Sequence, residues 1–292
     1  MEACAFVAEG VELAATRWPG PPGTRGSPVL LVHGLGGCTI EWDAVGGPLA
    51  EALGSDVVAV DLPGFGRSRL PRGRAIIPTH VRVVSSLLDE LGPALLVGNS
   101  MGGLISLAVA ARRPEVVTRL VLVGPALLTA GGRPGNLATA ARYTVALTPM
   151  VGPAMIAARR RRTTAEAYVD DRLKAIVRDP ARIGQGVKTR LVAQAGERAS
   201  FAEASRCYSD AARSIFTGLR SAWRAVRDVT VPALVIHGDH DALVPVALVE
   251  RLRRARPDWS YTIFDDAGHL PHLEMPERFV EVVAAWMSDQ SS

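Results

Sequence analysis

Leu95-Leu96-Val97-Gly98-Asn99-Ser100-Met101-Gly102-Gly103 is the stretch of sequence that decides the fold. Its apolar first part predicts a buried strand, and the apolar spacing from Leu104 to Ala111 predicts a helix directly after it. Between them stands the pattern G-x-S-x-G, whose serine lies on a strained turn that costs about 1–3 kcal/mol. Gly98 and Gly102 lack Cβ atoms, so the strand and the helix can approach closely. Ser100 is therefore predicted as a nucleophile at a helix N-terminus, although the pattern alone also occurs by chance.

A histidine near the end of the chain could serve as the base that such a serine needs. His269 follows Gly268 in a loop, after the strand-like run Tyr261–Phe264 and before an amphipathic helix predicted over Pro276–Met287. Histidine, with an unperturbed pKa of about 6.5, can take and return a proton near neutral pH. A lone loop histidine is most often a solvated side chain, but the serine pattern in the same chain favours His269 as the general base.

Two aspartates could orient that histidine. Asp239 and Asp241 lie in the loop after the apolar run Ala233–His237, beyond the carboxyl end of the predicted strand, where open α/β sheets bind their ligands. Spacing alone does not choose between the two. Either could also be a solvated loop charge or a helix cap.

A second glycine-rich loop follows the apolar run Leu30–Val32. Such a loop can direct backbone N–H groups at the oxyanion that develops when an acyl group is hydrolysed. The amide of Met101 would supply one donor, and that of Leu35 or Gly36 the other. The loop lacks G-x-G-x-x-G and a following Lys-Ser/Thr, which argues against nucleotide binding.

With these residues assembled, the chain resembles the α/β-hydrolase superfamily, in its lid-bearing, epoxide-hydrolase-like branch. Five motifs stand in the family's order: His33-Gly34, Asp61-Leu62-Pro63-Gly64-Phe65-Gly66-Arg67-Ser68, Gly98–Gly103, Gly238–Pro245 and Gly268-His269. The resemblance implies an α/β fold with a mostly parallel central sheet, flanking helices and an inserted helical cap. It also implies Asp241 as the acid, and the amides of Leu35 and Met101 as the oxyanion hole.

Branches of this superfamily differ at the nucleophile. Epoxide hydrolases and haloalkane dehalogenases carry aspartate where this chain has Ser100, so the resemblance implies an esterase, lipase, thioesterase, lactonase or similar enzyme. The form Gly-Asn-Ser-Met-Gly-Gly is similar to that of carbon–carbon hydrolases acting on meta-cleavage products. Those enzymes usually carry Gly-Pro-Gly in the oxyanion loop and a Trp after the histidine, whereas this chain has Gly36-Gly37-Cys38 and Leu270-Pro271. Carbon–carbon hydrolysis is therefore the second interpretation.

The alternation of strand-like and helix-like runs divides the chain. Residues 1–124 and 228–292 are predicted to form the core, and residues 125–227, which are rich in Ala, Arg and Leu at helical spacing, an inserted cap. Strands are predicted at Val11–Arg17, Val29–Val32, Val57–Val60, Ala94–Val97 and Leu120–Val123.

Six residues are expected to contact substrate: Gly34, Gly36, Asn99, Met150, Met155 and Arg172. Met150 and Met155 belong to an uncharged run that either packs on the core or forms an apolar wall over the serine. Arg172 could pair with a substrate carboxylate through two hydrogen bonds. The run Arg159–Arg162 is either a solvated face or an anion-steering rim.

Composition excludes several classes of protein. The chain has 292 residues and a formal net charge of +4, with no stripe of alternating aromatic and basic residues, so no nucleic acid is expected as a partner. Cys4, Cys38 and Cys207 lack metal-site spacing and are expected to be reduced thiols. We expect no metal or organic cofactor. Without a basic leader or an apolar run of about 18 residues, the chain is expected to be cytoplasmic, with no membrane span.

These patterns together predict a serine hydrolase that cleaves a carboxylic ester, thioester or lactone of a small to medium apolar substrate. Carbon–carbon hydrolysis is the alternative, and a non-catalytic small-molecule-binding protein on the same fold is a third possibility. The sequence leaves the oligomeric state, monomer or homodimer, undecided.

Overall fold

The computed structural model describes residues 1–23, 26–127, 148 and 151–289. Its sheet has the strand order β1-β2-β4-β3-β5-β6-β7-β8. β2 runs antiparallel to both of its neighbours, and the strands from β4 to β8 pair in parallel. The bounds are β1 (Glu2–Ala8), β2 (Val11–Trp18), β3 (Val29–Val32), β4 (Val57–Val60), β5 (Ala94–Asn99), β6 (Val117–Val123), β7 (Ala233–Gly238) and β8 (Ser260–Phe264). The predicted α/β fold with a mostly parallel sheet is confirmed.

Helices connect and cover these strands. Those of the described residues are α1 (Asp43–Leu53), α2 (Ile77–Leu91), α3 (Met101–Arg112), α4 (Val151–Arg162), α5 (Ala165–Ile176), α6 (Gln185–Ala199), α7 (Ala204–Thr217), α8 (Leu219–Asp228), α9 (Ala247–Ala255), α10 (Pro271–Glu274) and α11 (Pro276–Asp289). Short 3₁₀ helices lie at Thr39–Trp42, Pro114–Val116 and Pro180–Arg182. Within the described ranges, none of the helices is both long enough and apolar enough to cross a bilayer.

The central strands are buried on both faces, because helices cover each side of the sheet. Alternate side chains of a strand point to opposite faces. Leu30 accordingly belongs to a cluster with α2, α3, α8 and α9, whereas Leu31 belongs to a second cluster with α1 and α11. This double burial makes the sheet a rigid platform for the loops at its carboxyl edge.

β1 is the strand that the sequence did not predict. Among the described strands it pairs with β2 alone, and the two are joined by a tight turn in which Glu9 and Gly10 have φ values of 52° and 72°. This pair of positive φ angles suits the right-handed twist of a hairpin. Only Cys4, Phe6 and Ala8 turn toward the core, which leaves a weak alternating signal in the sequence.

Between β6 and β7 the described residues form helices and no strand. We call α4–α8 the inserted helices. α5 and α6 pack together, and they meet the core in a third hydrophobic cluster. The cluster consists of Cys38, Ile40, Val169, Leu173, Val177, Ile183, Leu191, Leu270 and Leu273. The inserted helices are therefore attached directly to the loops that carry Cys38 and Leu270.

Three fully buried histidines make the stability of the fold sensitive to acid. Burial lowers the pKa of His33, His80 and His272 to about 3, against an ordinary value of about 6.5. Between pH 7 and pH 5 these side chains take up protons in the unfolded chain but not in the folded one. The free energy of unfolding then falls by about 2 kcal/mol per histidine.

Two buried carboxyl groups act in the opposite direction. Burial raises the pKa of Asp43 and Asp61 to about 6, so both gain protons in the folded state over the same range and offset less than half of the loss. We therefore expect urea unfolding to show a net loss of about 3 kcal/mol from pH 7 to pH 5. His80→Gln, an uncharged replacement, should reduce that pH dependence. An unchanged unfolding free energy across this range would contradict the assignment.

Candidate active site

Ser100 occupies the sharp turn between β5 and α3. Among the described residues it is one of three non-glycine residues with positive φ, at φ 53° and ψ −111°, and it stands directly before the first residue of α3, Met101. Its amide donates to the carbonyl of Val123 at 2.9 Å, and its carbonyl accepts from the amide of Ala126 at 3.1 Å. These bonds to the neighbouring strand end offset a backbone conformation that is costly for a residue with a Cβ atom.

This turn requires glycine at two positions, because the surrounding backbone leaves no space there for a side chain. A Cβ atom at Gly98 would lie 2.4 Å from the carbonyl oxygen of Gly102. A Cβ atom at Gly102 would lie 2.1 Å from the carbonyl oxygen of Val32. The end of β5 and the start of α3 thus approach each other closely, as the G-x-S-x-G pattern predicted. The start of α3 also lies against the end of β3.

His269 and Asp241 form a buried pair. His269 Nδ1 lies 2.6 Å from Asp241 Oδ2, and Asp241 Oδ1 accepts from the amides of Leu243 at 2.8 Å and Val244 at 2.9 Å. Burial would raise the pKa of the Asp241 carboxyl, but the charge and hydrogen bond of His269 outweigh burial and lower that pKa. Asp241 is therefore ionised at neutral pH and fixes Nδ1 of His269 as a donor.

The other candidate acid points elsewhere. Asp239 is exposed and its Oδ1 contacts the ring of His240 at 2.7 Å and accepts from the amide of Ala267 at 3.3 Å. Of the two aspartates that spacing left open, Asp241 is the one that contacts His269.

A second buried histidine supports the same aspartate, and the sequence reasoning missed it. His237 Nε2 donates to the carbonyl of Val244 at 2.9 Å and lies 3.5 Å from Asp241 Oδ2. Burial lowers the pKa of His237, so its ring is neutral and adds no full charge beside the carboxylate. Its position at the end of β7 is the only signal that could have suggested this.

Asn99 joins the serine turn to the histidine loop. It is 1% exposed, and its Nδ2 donates to the carbonyl of Val123 at 3.1 Å and to that of His269 at 3.2 Å. Asn99 was expected to contact substrate. In the structure its side-chain N–H groups instead hold the backbone of His269 beside the serine turn.

The histidine loop is also tied to the inserted helices. The amide of His269 donates to the carbonyl of Ile176 at 2.7 Å. Glu274 bridges the two segments, since its Oε1 accepts from the amide of Gly268 at 2.8 Å and its Oε2 from that of Arg178 at 2.7 Å. Sequence reasoning did not identify Glu274, because nothing local marks a carboxylate whose partners lie so far apart in the chain.

The loop after β3 lies directly against the serine turn. A Cβ atom at Gly34 would be 3.2 Å from Cβ of Ser100. His33 Nε2 accepts from the amide of Leu62 at 3.0 Å, so Nδ1 carries the proton and donates to the carbonyl of Gly34 at 2.7 Å. The low pKa of His33, caused by burial, keeps this tautomer neutral. The bond turns the Gly34 carbonyl toward His33.

The predicted oxyanion donors lie on either side of this contact. Leu35 follows Gly34 in the loop, and Gly36 continues it with φ 72°, a conformation that suits glycine. Met101 is the first residue of α3, where helical N–H groups have no partner within the helix. Both predicted donors therefore belong to residues that directly follow the contacting pair, Gly34 and Ser100, in the chain.

The Asp61 carboxylate holds the segment after β3 through backbone hydrogen bonds. Its Oδ1 accepts from the amide of Thr39 at 2.8 Å and its Oδ2 from that of Arg67 at 3.0 Å. Gly66, with φ 51°, lies so close that a Cβ atom there would meet the Asp61 carboxyl at 2.0 Å. This explains the aspartate and the second glycine of the D-x-P-G-x-G-x-S motif.

The cap residues expected to contact substrate have mixed outcomes. Arg172 Nη2 lies 2.5 Å from Oε1 of Glu41, a carboxylate that is only 1% exposed, so its charge already has a partner in the protein. Met155 is 49% exposed, and Met150 lies outside the described residues. Within the arginine run, Arg159 pairs with Asp171 at 2.8 Å, and Arg160 lies over the ring of Tyr168 at 5.4 Å.

The chain is similar in sequence and fold to several known hydrolases. A sequence profile of the alpha/beta hydrolase family matches residues 29–282. The chain is 33% identical over 262 residues to a pimeloyl-[acyl-carrier protein] methyl ester esterase of Aromatoleum aromaticum, covering 85% of this chain and 93% of the relative. It is 30% identical over 273 residues to a 2-hydroxymuconate semialdehyde hydrolase of Pseudomonas putida, covering 91% and 88%. The crystal structure of an esterase from Thermogutta terrifontis superposes with a TM-score of 0.71 at 24% identity, covering 99% of each chain.

Proposed function

Because the chain belongs to the alpha/beta hydrolase family, we propose that it is a serine hydrolase that cleaves a carboxylic ester, or a related thioester or lactone, of a small to medium apolar substrate. One observation carries this proposal. The buried pair of His269 and Asp241 is held beside a strained and partly exposed Ser100 by Asn99, which precedes Ser100 in the chain and donates to the carbonyl of His269.

In the first half of the reaction, Ser100 Oγ attacks the substrate carbonyl carbon while His269 Nε2 takes the hydroxyl proton. Nε2 is the available nitrogen because Nδ1 faces Asp241. The carboxylate of Asp241 holds this tautomer and stabilises the imidazolium. The amides of Leu35 and Met101 donate to the oxyanion, and one such donor contributes about 3–4 kcal/mol.

His269 next acts as an acid, and the acyl-enzyme is then hydrolysed. The imidazolium of His269 gives its proton to the leaving oxygen, and the C–O bond breaks to leave an acyl group on Ser100. Water then attacks the acyl carbon and passes a proton to His269. The carboxylic acid departs as Ser100 Oγ takes that proton back, so the enzyme is regenerated without net change.

We also assign residues 125–227 as a cap over a core of residues 1–124 and 228–292. The inserted helices support this division, because α5 and α6 contact the core through the third hydrophobic cluster. The bond from the His269 amide to Ile176 places the end of α5 beside the proposed base. A small-molecule substrate would then be enclosed between cap and core.

Carbon–carbon bond hydrolysis is the second candidate. The observation in its favour is the similarity to 2-hydroxymuconate semialdehyde hydrolases, one of which is 32% identical over 276 residues. The same three side chains could serve that reaction.

The first test is hydrolysis of a p-nitrophenyl ester series from acetate to decanoate, combined with labelling by a fluorophosphonate probe. We expect hydrolysis with an optimum at short to medium acyl length, and one probe adduct located on Ser100 by peptide mass spectrometry. Labelling without ester hydrolysis would favour the carbon–carbon hydrolase. Absence of both would contradict a serine hydrolase and favour a binding protein.

A further inference from the structure

Three arginines meet in one cleft between the inserted helices and the loop after β3. We call it the arginine cleft and define it by Gly36, Gly37, Arg160, Arg172, Gln194 and Arg198, which line it. The cleft is partly open to solvent. Arg160 comes from α4, Arg172 from α5 and Arg198 from α6, so three separate helices direct cationic side chains to one place.

The positive charges of this cleft are only partly balanced by carboxylates among the residues that the structure describes. Arg172 is paired with the buried Glu41. Arg198 donates to the carbonyl of Gly64 and lies over the ring of Phe65 at 5.1 Å, and neither partner is an anion. In the part of the chain that the structure describes, no carboxylate forms an ion pair with Arg160 or Arg198. Arg160, Arg172, Arg198 and Glu41 together carry a net charge of about +2, and the Asp61 carboxylate acts on Arg198 without contacting it. A partly buried site with this excess of positive charge attracts anions.

Arg198 shows the consequence of that imbalance. Burial, followed by the neighbouring charge of Arg160, lowers the pKa of the Arg198 guanidinium. Two cations are thus held near each other at a cost in free energy, and an anion between them would remove that cost.

A polar side chain in the cleft also lacks a partner. Gln194 is 8% exposed, and its Nε2 has no hydrogen-bond partner among the residues that the structure describes. An unpaired buried amide is costly, and its N–H groups can donate only to an acceptor. The cleft thus combines uncompensated positive charge with an unused hydrogen-bond donor.

We propose that the arginine cleft binds an anionic group of the substrate, either a carboxylate or phosphoryl oxygens, through Arg160, Arg198 and the Nε2 of Gln194. Gly36 and Gly37 line the cleft and follow Leu35, so the bound group lies beside the proposed oxyanion loop. The substrate is then an ester with an apolar acyl part and an anionic group at a distance from the scissile bond. Because it assigns substrate chemistry, this inference rests on the proposed function.

The binding test needs no catalysis. It uses calorimetric titration of Ser100→Ala protein with glutarate and, separately, with inorganic phosphate. We expect saturable binding of at least one anion, and the stronger of the two identifies the group. Adding Arg160→Gln should weaken binding at least tenfold, because it removes a charge-assisted hydrogen bond to the anion. Adding Gln194→Glu should abolish binding, because it removes the donor and places a negative charge in the cleft.

Arg161→Gln is the matched control, because Arg161 is adjacent in α4, exposed and outside the lining. It should leave binding unchanged. Gln194→Leu removes the donor without adding charge, and circular dichroism would establish that each variant is folded. No binding of either anion, or equal weakening by Arg160→Gln and Arg161→Gln, would overturn the proposal.

The kinetic test compares p-nitrophenyl hemiesters of dicarboxylic acids with neutral esters of equal chain length. Arg160→Gln should raise KM about tenfold for the hemiesters alone. Equal changes for charged and neutral esters would refute a role in substrate recognition. If no ester is hydrolysed while glutarate or phosphate still binds, the proposed function fails and the anion site stands.

Discussion

Ser100→Ala is expected to lower kcat for ester hydrolysis about a million-fold, the scale seen when a triad nucleophile is removed. The reason is chemical rather than structural. The change deletes Oγ but keeps the Cβ atom, so the turn at φ 53° and its bonds to Val123 and Ala126 are retained. Without Oγ no acyl-enzyme forms, and the remaining amides and His269 can only assist a direct attack by water.

Ser106→Ala is the matched control for this measurement. Ser106 lies in the same helix, α3, and its buried Oγ has no hydrogen-bond partner within the described residues. Both variants should unfold near the wild-type temperature, and Ser106→Ala should keep kcat and its fluorophosphonate adduct. If Ser100→Ala retained a tenth of the wild-type activity, Ser100 would not be the nucleophile.

Much of the fold was predictable because its signals are local. The apolar runs of β3 and β4 and the glycines around Ser100 each mark their own conformation, since a buried parallel strand or a tight turn restricts the residues that form it. β1 was missed for the converse reason. Half of that strand faces solvent, so its three inward residues leave little periodicity to detect.

The parts of the site that could not be predicted depend on contacts between distant segments. Glu274 acts on Gly268 and Arg178, and Glu41 is covered by Arg172 from an inserted helix. Such pairings are set by how the inserted helices lie on the core, and no spacing rule encodes that. The expected pairing of Arg172 with a substrate carboxylate illustrates the point, because the sequence does not show that Glu41 is within reach.

Asp241→Asn is expected to lower kcat about ten-thousand-fold with little change in KM. Asparagine fills the same space and can still accept from the amides of Leu243 and Val244 through its oxygen. Its NH₂ group would then face His269 Nδ1 and favour the tautomer with the proton on Nε2. That tautomer cannot take the proton of Ser100, and the imidazolium would lose its carboxylate partner.

Asp239→Asn is the control that makes this measurement decisive, because it changes the same functional group two residues away. Asp239 contacts His240 and the amide of Ala267 rather than His269, so its replacement should alter kcat less than threefold. A larger loss of kcat for Asp239→Asn than for Asp241→Asn would contradict the assignment. It would mean that Asp239, and not Asp241, supports His269 during catalysis.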